Sequence, residues 1–302
     1  MNRTTTFVLS LLAISAFALN SIFCRLALKS TAIDPILFTC IRLVAGAVFM
    51  ALIVAIRDRK NVWTSGSWRG GIAVFSYAIF FSIAYLELDA GMGALLLFGS
   101  VQLTMLSIGY VRGDRLSALQ WLGFWIAVMG LVLLMWPTAT GGSINESTLV
   151  PRGWAMILML ISGASWGLYS LMAKGTGEPT AVTAGNLIRS GILVAAVGAI
   201  AGSRLNWDSD GACWALLSGT LTTGIGYAIW YQALKGLSAS IAASVQLTVP
   251  VIVNVAGWAF MGELIGWRQI WSSIGILGGV GIVIWFGRSK KNVNDKQKDS
   301  PN

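Results

Sequence analysis

Long apolar segments constrain this chain more than any other feature of its sequence. A helix of about 20 apolar residues spans the roughly 30 Å hydrocarbon core of a bilayer. Only 11% of the 302 residues are charged and 56% are hydrophobic, which is typical of a surface that faces lipid. The apolar windows predict transmembrane helices at residues 6–28, 35–56, 70–88, 92–111, 117–136, 154–173, 180–201, 211–233, 238–260 and 269–286.

Basic residues are distributed unevenly between the two sides of these predicted helices. Fourteen lysines and arginines lie on the side that carries both chain termini, and four lie on the other. Because basic loops stay in the cytoplasm, we expect both termini there. The same loops account for the net charge of +9, so the charge does not indicate a nucleic-acid partner. Residues 288–302 are polar and charged, and we expect a disordered tail.

A five-residue sequence, SVQLT, occurs at 100–104 and again at 244–248. Further matches at offsets of 146 to 149 residues are Ile14-Ser15 with Ile161-Ser162, Ile41-Arg42 with Ile188-Arg189, Phe81/Tyr85 with Tyr227/Tyr231, and Gly113-Asp114 with Gly262-Glu263. Each half has an odd number of helices, so the second half enters the membrane from the opposite side. We therefore expect an all-α membrane protein with ten transmembrane helices as two inverted five-helix repeats, residues 1–137 and 153–287, joined by a loop at 138–152.

Several classes of site have no suitable residues in this sequence. The chain has no histidine, and its three cysteines lack the spacing of a metal site. Its acidic residues all lie in loops, in the tail or near predicted helix ends, which leaves no mid-membrane acid for a proton-coupled cation pump. We predict no metal, no cofactor and no enzymatic activity, and a neutral or zwitterionic substrate.

Two sets of residues carry a resemblance to a known family. Pro35, Phe38 and Arg42 open the second predicted helix in the pattern PxxFxxxR. A second pattern runs through the last two predicted helices: Pro250, Gly262-Glu263, Gln269, Gly275 and Gly281. The chain resembles the EamA-type members of the drug/metabolite transporter superfamily, and within it the YddG-type exporters of aromatic and other neutral amino acids. In the first half, Leu106 stands in the place of Pro250 and Asp114 in that of Glu263.

The resemblance implies a secondary transporter that exports neutral amino acids, aromatic ones included, by alternating access. It implies a bacterial inner membrane, contact with membrane lipid and no obligate protein partner. Alternatives are a carrier of other metabolites or drugs on the same scaffold, such as a sugar phosphate or nucleotide sugar. A membrane-embedded enzyme, a lipid flippase or a structural membrane protein is a more distant alternative.

Polar and aromatic residues at mid-helix positions are candidates for the substrate site. Gln102 and Gln246 occupy matched depths in the two repeats, and we expect them, with Asn20, to hold a zwitterion. The side chain would pack among Phe17, Phe81, Tyr85, Trp166, Tyr169 and Tyr227. The glutamines can equally join neighbouring helices, and aromatic residues are also common at membrane interfaces. Tyr77 and Tyr231 lie nearer the predicted cytoplasmic ends and are weaker candidates.

Helix bends and intramembrane arginines complete the predicted features. Pro250, Gly99 and Gly224 are the candidate hinges, because proline removes a backbone hydrogen bond and glycine permits close approach. The long side chains of Arg25, Arg42 and Arg189 are expected to extend to the lipid headgroups. The alternative is that they steer anionic substrates.

Overall fold

The computed structural model describes residues 3–57, 62–113, 116–136, 151–173, 179–202, 205–234, 236–237 and 245–298. The first seven helices are α1 (Arg3–Ser30), α2 (Pro35–Arg57), α3 (Trp68–Ala84), α4 (Ala90–Val111), α5 (Ala118–Met135), α6 (Arg152–Ala173) and α7 (Pro179–Ala201). The eighth, α8, is continuous over three parts: Ser209–Leu217, a π-helical segment Ser218–Ile225, and Gly226–Leu234. The last two are α9 (Val249–Met261) and α10 (Trp267–Lys298). Below, the proximal end of the bundle is the one at which α1 begins, and the distal end is the one at which it ends.

The helices have the length and surface of a membrane protein. Eight of them are long and apolar enough to cross a bilayer, and α3 and α9 are shorter apolar helices. Large apolar side chains such as Val48, Trp125, Met129 and Trp258 point outward, where lipid is the favourable solvent. The predicted fold class is confirmed.

Helix packing follows the two-fold relation between the halves. The pairs α2–α7, α4–α9 and α5–α10 each join a helix to its counterpart in the other repeat. Other contacts occur in equivalent pairs. The contact of α1 with α8 corresponds to that of α6 with α3, and the contact of α1 with α9 corresponds to that of α6 with α4. Glycines bring α5 and α10 together: a Cβ on Gly279 would lie 2.5 Å from the Gly123 carbonyl oxygen.

Two predicted helix boundaries are wrong. α3 ends at Ala84, not 88, and Tyr85 follows it as the C-cap; the apolar residues after Ala84 gave no sign of this end. Residues 238–244, which include the first residue of the second SVQLT sequence, lie outside the described part. Val245 and Gln246 are helical, a turn at Leu247 and Thr248 precedes α9, and Pro250 lies in the first turn of α9. A proline there loses no hydrogen bond within α9.

The π-helical segment of α8 was not predicted from the sequence. It contains Gly219 and Gly224, which let it approach α2 closely: a Cβ on Gly219 would lie 2.4 Å from the Arg42 carbonyl oxygen, and one on Gly224 would lie 2.6 Å from the Phe49 ring. Within the segment, the Thr222 hydroxyl donates to the Ser218 carbonyl oxygen at 2.5 Å. π-Helical turns are rare and often mark functional positions.

The α10 backbone is helical to Lys298. Lysine and glutamine are good helix formers, and extending an existing helix avoids the cost of a new nucleus. Disorder of the tail from Arg288 in solution stays a prediction.

Candidate functional site

A cavity lies midway along the bundle, between α1, α3, α4, α6 and α8. The space between these helices, including that at its open side, is about 390 Å³. The lining residues are Phe17, Asn20, Ser21, Tyr77, Leu97, Phe98, Trp166, Thr222, Thr223 and Tyr227.

Aromatic rings form most of one wall. Trp166 is central: its ring centroid lies 4.9 Å from that of Tyr77, 5.1 Å from that of Tyr227 and 5.5 Å from that of Tyr169. Phe17 meets the Tyr227 ring edge-on, with centroids 6.1 Å apart. Rings arranged in this way offer faces and edges on which a planar apolar group can stack.

Asn20 is the polar centre of the cavity. Its amide nitrogen donates to the Tyr77 hydroxyl at 3.1 Å. Its amide oxygen accepts from the Ser218 hydroxyl at 2.8 Å and from the Thr222 hydroxyl at 3.0 Å. This network joins α1, α3 and the π-helical segment of α8. Because the amide oxygen already has two donors, a ligand has the second amide hydrogen and the neighbouring hydroxyls available.

The predicted aromatic residues are divided between the wall and the layer behind it. Phe17, Trp166 and Tyr227 line the cavity, as does Asn20. Phe81 and Tyr85 are fully buried and do not line it. They continue the aromatic row of α3, with centroids 5.4 Å from Tyr77 to Phe81 and 4.7 Å from Phe81 to Tyr85. The Tyr85 hydroxyl donates to the Ala90 carbonyl oxygen at 3.2 Å.

Tyr169 is buried behind Trp166 in a second hydroxyl network. Its hydroxyl lies 3.0 Å from that of Thr183, which in turn donates to the Tyr231 hydroxyl at 3.0 Å. These bonds join α6, α7 and α8. Tyr169 therefore supports the wall, and its direct contact with substrate stays a prediction.

The two glutamines do not line this cavity. Gln102 is 4% exposed and ends a stretch of α4, beginning at Ala90, in which every residue is buried. Gln246 is half-buried and lies in helical backbone just before the turn that precedes α9. Their roles in substrate binding stay predictions.

The hinge candidates occupy different environments. Gly99 lies where α4 meets α5 and α10, and a Cβ there would stand 3.0 Å from Leu131 and 3.2 Å from Ile276. Gly224 lies in the π-helical segment and Pro250 in the first turn of α9. Whether any of them acts as a hinge stays a prediction.

Tyr77 is only a weaker candidate from the sequence, whereas in α3 it is central and lines the cavity. The sequence does not single out the adjacent pair Thr222-Thr223. The pair has a signal there, since it belongs to a polar and glycine-rich run, Ser218 to Gly224, within an apolar segment.

The prediction that Arg25 extends to the headgroups is wrong. The side chain is 5% exposed, and its guanidinium binds the Glu263 carboxylate at 3.3 Å, the Asp89 carboxylate at 3.4 Å and the Tyr85 carbonyl oxygen at 2.8 Å. Glu263 also accepts from the Ala90 backbone N–H, at 2.8 and 3.0 Å, and so caps the first turn of α4. We name Arg25, Asp89, Glu263 and Ala90 the distal clasp, because it joins α1, α4 and the α9–α10 connection.

Asp208 makes another connection at the distal end, outside the membrane spans. Its carboxylate accepts from the backbone N–H groups of Gly211 at 2.9 Å and Ala32 at 3.3 Å. It thus caps α8 and joins that helix to the α1–α2 connection. These N–H groups hold the pKa of the Asp208 carboxyl below its ordinary value.

The prediction for Arg42 is also wrong, and that for Arg189 is partly so. Arg42 is 1% exposed, with its guanidinium carbon 5.3 Å from the centroid of Tyr77 and 5.1 Å from that of Phe81. Arg189 reaches toward the proximal end, but it binds protein: it donates to the carbonyl oxygens of Ser65, Gly185 and Trp63. Tertiary contacts with distant parts of the chain decide both positions.

Among the described residues, no group of three or more histidine, cysteine or acidic side chains is arranged to hold a metal ion. The cavity wall consists of aromatic, aliphatic, hydroxyl and amide groups. Such a wall can bind an organic solute by stacking and hydrogen bonding.

Comparison with known proteins identifies the fold. The profile of the EamA-like transporter family matches residues 4–136 and again 153–285. The chain belongs to this family. The two matches correspond to α1–α5 and α6–α10, each of which is one EamA repeat.

Relatives from several bacteria agree with this assignment. An uncharacterized protein of Pseudomonas aeruginosa is 45% identical over 279 residues, covering 92% of this chain and 94% of the relative. The uncharacterized transporter YwfM of Bacillus subtilis is 25% identical over 268 residues, covering 83% and 84%. The uncharacterized inner membrane transporter YedA of Escherichia coli K12 is 22% identical over 212 residues, covering 67% and 64%. A crystal structure shares the fold with a TM-score of 0.66 at 17% identity, over 95% of this chain and 99% of its own.

The EamA-like chain is therefore an integral membrane transporter. Its family and its relatives' names indicate transport and not enzymatic activity.

Proposed function

We propose that this transporter exports neutral amino acids, aromatic ones included, by alternating access. The observation that carries the proposal is the mid-membrane cavity, in which aromatic rings surround the amide of Asn20. Stacking on Trp166 and Tyr227 suits an aromatic side chain, and the amide and hydroxyl groups suit the polar end of an amino acid. None of the described residues that line the cavity is acidic, which favours a substrate without net positive charge.

The proposed direction rests on charge and on the distal clasp. With 14 basic residues on the proximal side against four on the distal side, the proximal end is assigned to the cytoplasm of a bacterial inner membrane. The distal clasp then lies on the outer side. In the proposed cycle, substrate enters from the cytoplasm while the clasp is formed, and release to the outside requires the clasp to open.

The test is transport of radiolabelled L-phenylalanine or L-tryptophan by purified protein in liposomes. Trp166→Leu removes the central ring of the wall and should lower flux about tenfold or more, because the stacking surface is lost. Trp125→Leu is the matched control, since it makes the same substitution at a side chain that is 57% exposed on the outside of the bundle. It should leave flux unchanged.

A different result identifies the nearest rival. If liposomes with wild-type protein move a sugar phosphate and neither aromatic amino acid, the proposal is wrong and the scaffold carries another metabolite. Equal loss of flux in both tryptophan variants would mean that the Trp166 effect is not specific to the cavity.

A further inference from the structure

Arg42 differs from the other two intramembrane arginines in what surrounds it. Arg25 and Arg189 both bind carbonyl or carboxylate oxygens. The Nε and Nη1 atoms of Arg42 are buried and have no hydrogen-bond partner among the described residues. Its guanidinium packs on aromatic rings of α3 instead.

No counter-ion for Arg42 occurs in the described part of the chain. The ion pairs found there, Arg25–Asp89, Arg25–Glu263 and Arg152–Asp89, belong to the distal end. A guanidinium does not lose its proton in a protein. A buried cation without an anion is unfavourable, and the faces of Tyr77 and Phe81 offset only part of that cost.

Arg42 lies next to the cavity. Tyr77 contacts both: its ring packs on the guanidinium, and its side chain lines the cavity beside Trp166 and Asn20. The Tyr77 hydroxyl accepts from the Asn20 amide and also interacts with the Arg42 side chain, so rotation of this tyrosine breaks the bond to Asn20 and frees the guanidinium. When the Tyr77 ring turns aside, the guanidinium and the cavity form one space.

We propose that Arg42 binds the carboxylate of the transported substrate. A guanidinium presents paired N–H groups that match the two oxygens of a carboxylate. A monoanion balances this single cation, whereas a phosphate dianion would leave one negative charge uncompensated among aromatic side chains. The inference rests on the proposed function and adds to it, because it assigns the carboxyl group of the amino acid to a residue of α2.

The test compares L-phenylalanine with L-phenylalaninol, in which a CH₂OH group replaces the carboxylate. Affinity is measured in two ways. The first is the concentration of each ligand that gives half of its maximal rise in the melting temperature of purified protein. The second is the concentration of each ligand that halves the flux of labelled L-phenylalanine. Wild-type protein should prefer L-phenylalanine by on the order of tenfold or more, because the alcohol leaves Arg42 without an anion. Arg42→Met should abolish that preference, and Arg42→Lys should keep part of it.

Arg189→Met is the matched control. It replaces the corresponding arginine of the second repeat, which binds backbone carbonyl oxygens away from the cavity, and it should keep the full preference for L-phenylalanine. Without ligand, Arg42→Met should melt no lower than wild type, because it replaces an uncompensated buried charge by an apolar side chain. A purely structural role for Arg42 predicts the opposite.

Each outcome has a separate meaning. If wild-type protein binds the amino acid and the alcohol equally well, the Arg42 proposal is wrong while amino-acid transport stands. If neither ligand binds, the proposed function itself is wrong. If inorganic phosphate raises the melting temperature of wild-type protein but not that of Arg42→Met, then Arg42 binds a phosphate group and the carboxylate proposal is wrong. If Arg42→Met without ligand melts at a lower temperature than wild type, and both Arg42→Met and Arg42→Lys keep the preference for L-phenylalanine, then Arg42 has only a structural role.

Discussion

The distal clasp makes a quantitative prediction about the coupling between Arg25 and Glu263. The Arg25 Nε and Glu263 Oε1 atoms are 3.3 Å apart, and both side chains are at most 6% exposed. At an effective dielectric constant of about 20, two unit charges at this distance attract by about 5 kcal/mol before desolvation is counted. Arg25 also binds Asp89 and the carbonyl oxygens of Tyr85 and Leu86, so removal of Glu263 leaves it partly satisfied. We therefore expect a net coupling of about 2 kcal/mol.

A double-mutant cycle measures this coupling directly. Arg25→Gln, Glu263→Gln and the double variant are unfolded in detergent, and the coupling is the non-additive part of the change in unfolding free energy. Arg152→Gln with Asp89→Asn is the control cycle at the same end of the bundle. That pair is 3.2 Å apart, but its side chains are 52% and 33% exposed, so it should couple by about 0–1 kcal/mol. Equal coupling in the two cycles, or less than about 0.5 kcal/mol for Arg25 with Glu263, would refute the argument that burial makes the clasp strong.

Three further predictions follow from single positions. Asn20→Leu leaves the buried Ser218 hydroxyl without its acceptor, while Thr222 keeps the Ser218 carbonyl oxygen, and it should lower unfolding free energy by about 1–3 kcal/mol; an unchanged melting temperature would contradict the network. Gly163→Val should abolish the yield of monodisperse protein, because a Cβ there lies 2.5 Å from the Leu97 carbonyl oxygen, whereas Gly153→Val in the same helix meets nothing within 4 Å and should be tolerated. For Asp208 the lowered pKa means that its stabilisation is present above the ordinary carboxyl pKa of 3.8 and lost as pH falls through the lowered value. The melting temperatures of wild type and Asp208→Asn should therefore differ most at neutral pH and converge in acid, and a difference independent of pH would show that the charge is not involved.

The sequence predicts the fold well because lipid imposes a simple rule on it. Each crossing needs a long apolar helix, and the matches between SVQLT sequences and between glycine positions indicate two related halves. The ends of the helices are harder to predict from the sequence. The residues from Tyr85 to Leu88 are mostly apolar, so hydropathy does not distinguish them from α3. The turn before α9, at Leu247 and Thr248, lies in an apolar stretch, so hydropathy does not indicate it either.

The site was predicted in part, for a physical reason. Phe17, Asn20, Trp166 and Tyr227 could be found because they are polar or aromatic residues at mid-helix depth. The burial of Arg42 could not, because it results from contacts with α3 residues about 35 to 40 positions away along the chain and from the approach of α8 at Gly219. No local pattern distinguishes a buried arginine from one that extends to the headgroups.

The π-helical segment gives α8 a register that can change. A π-helical turn contains more residues than an α-helical turn. If one such turn changed to α-helical hydrogen bonding, the rest of the helix would shift by up to one residue. In α-helical geometry, one residue corresponds to a rotation of about 100° and a translation of about 1.5 Å. Tyr227 and Trp230 follow the segment directly, and both contact Phe17. A change in the hydrogen bonds of these eight backbone residues would therefore change which side chains of α8 face the cavity, without any rigid-body movement of the two repeats.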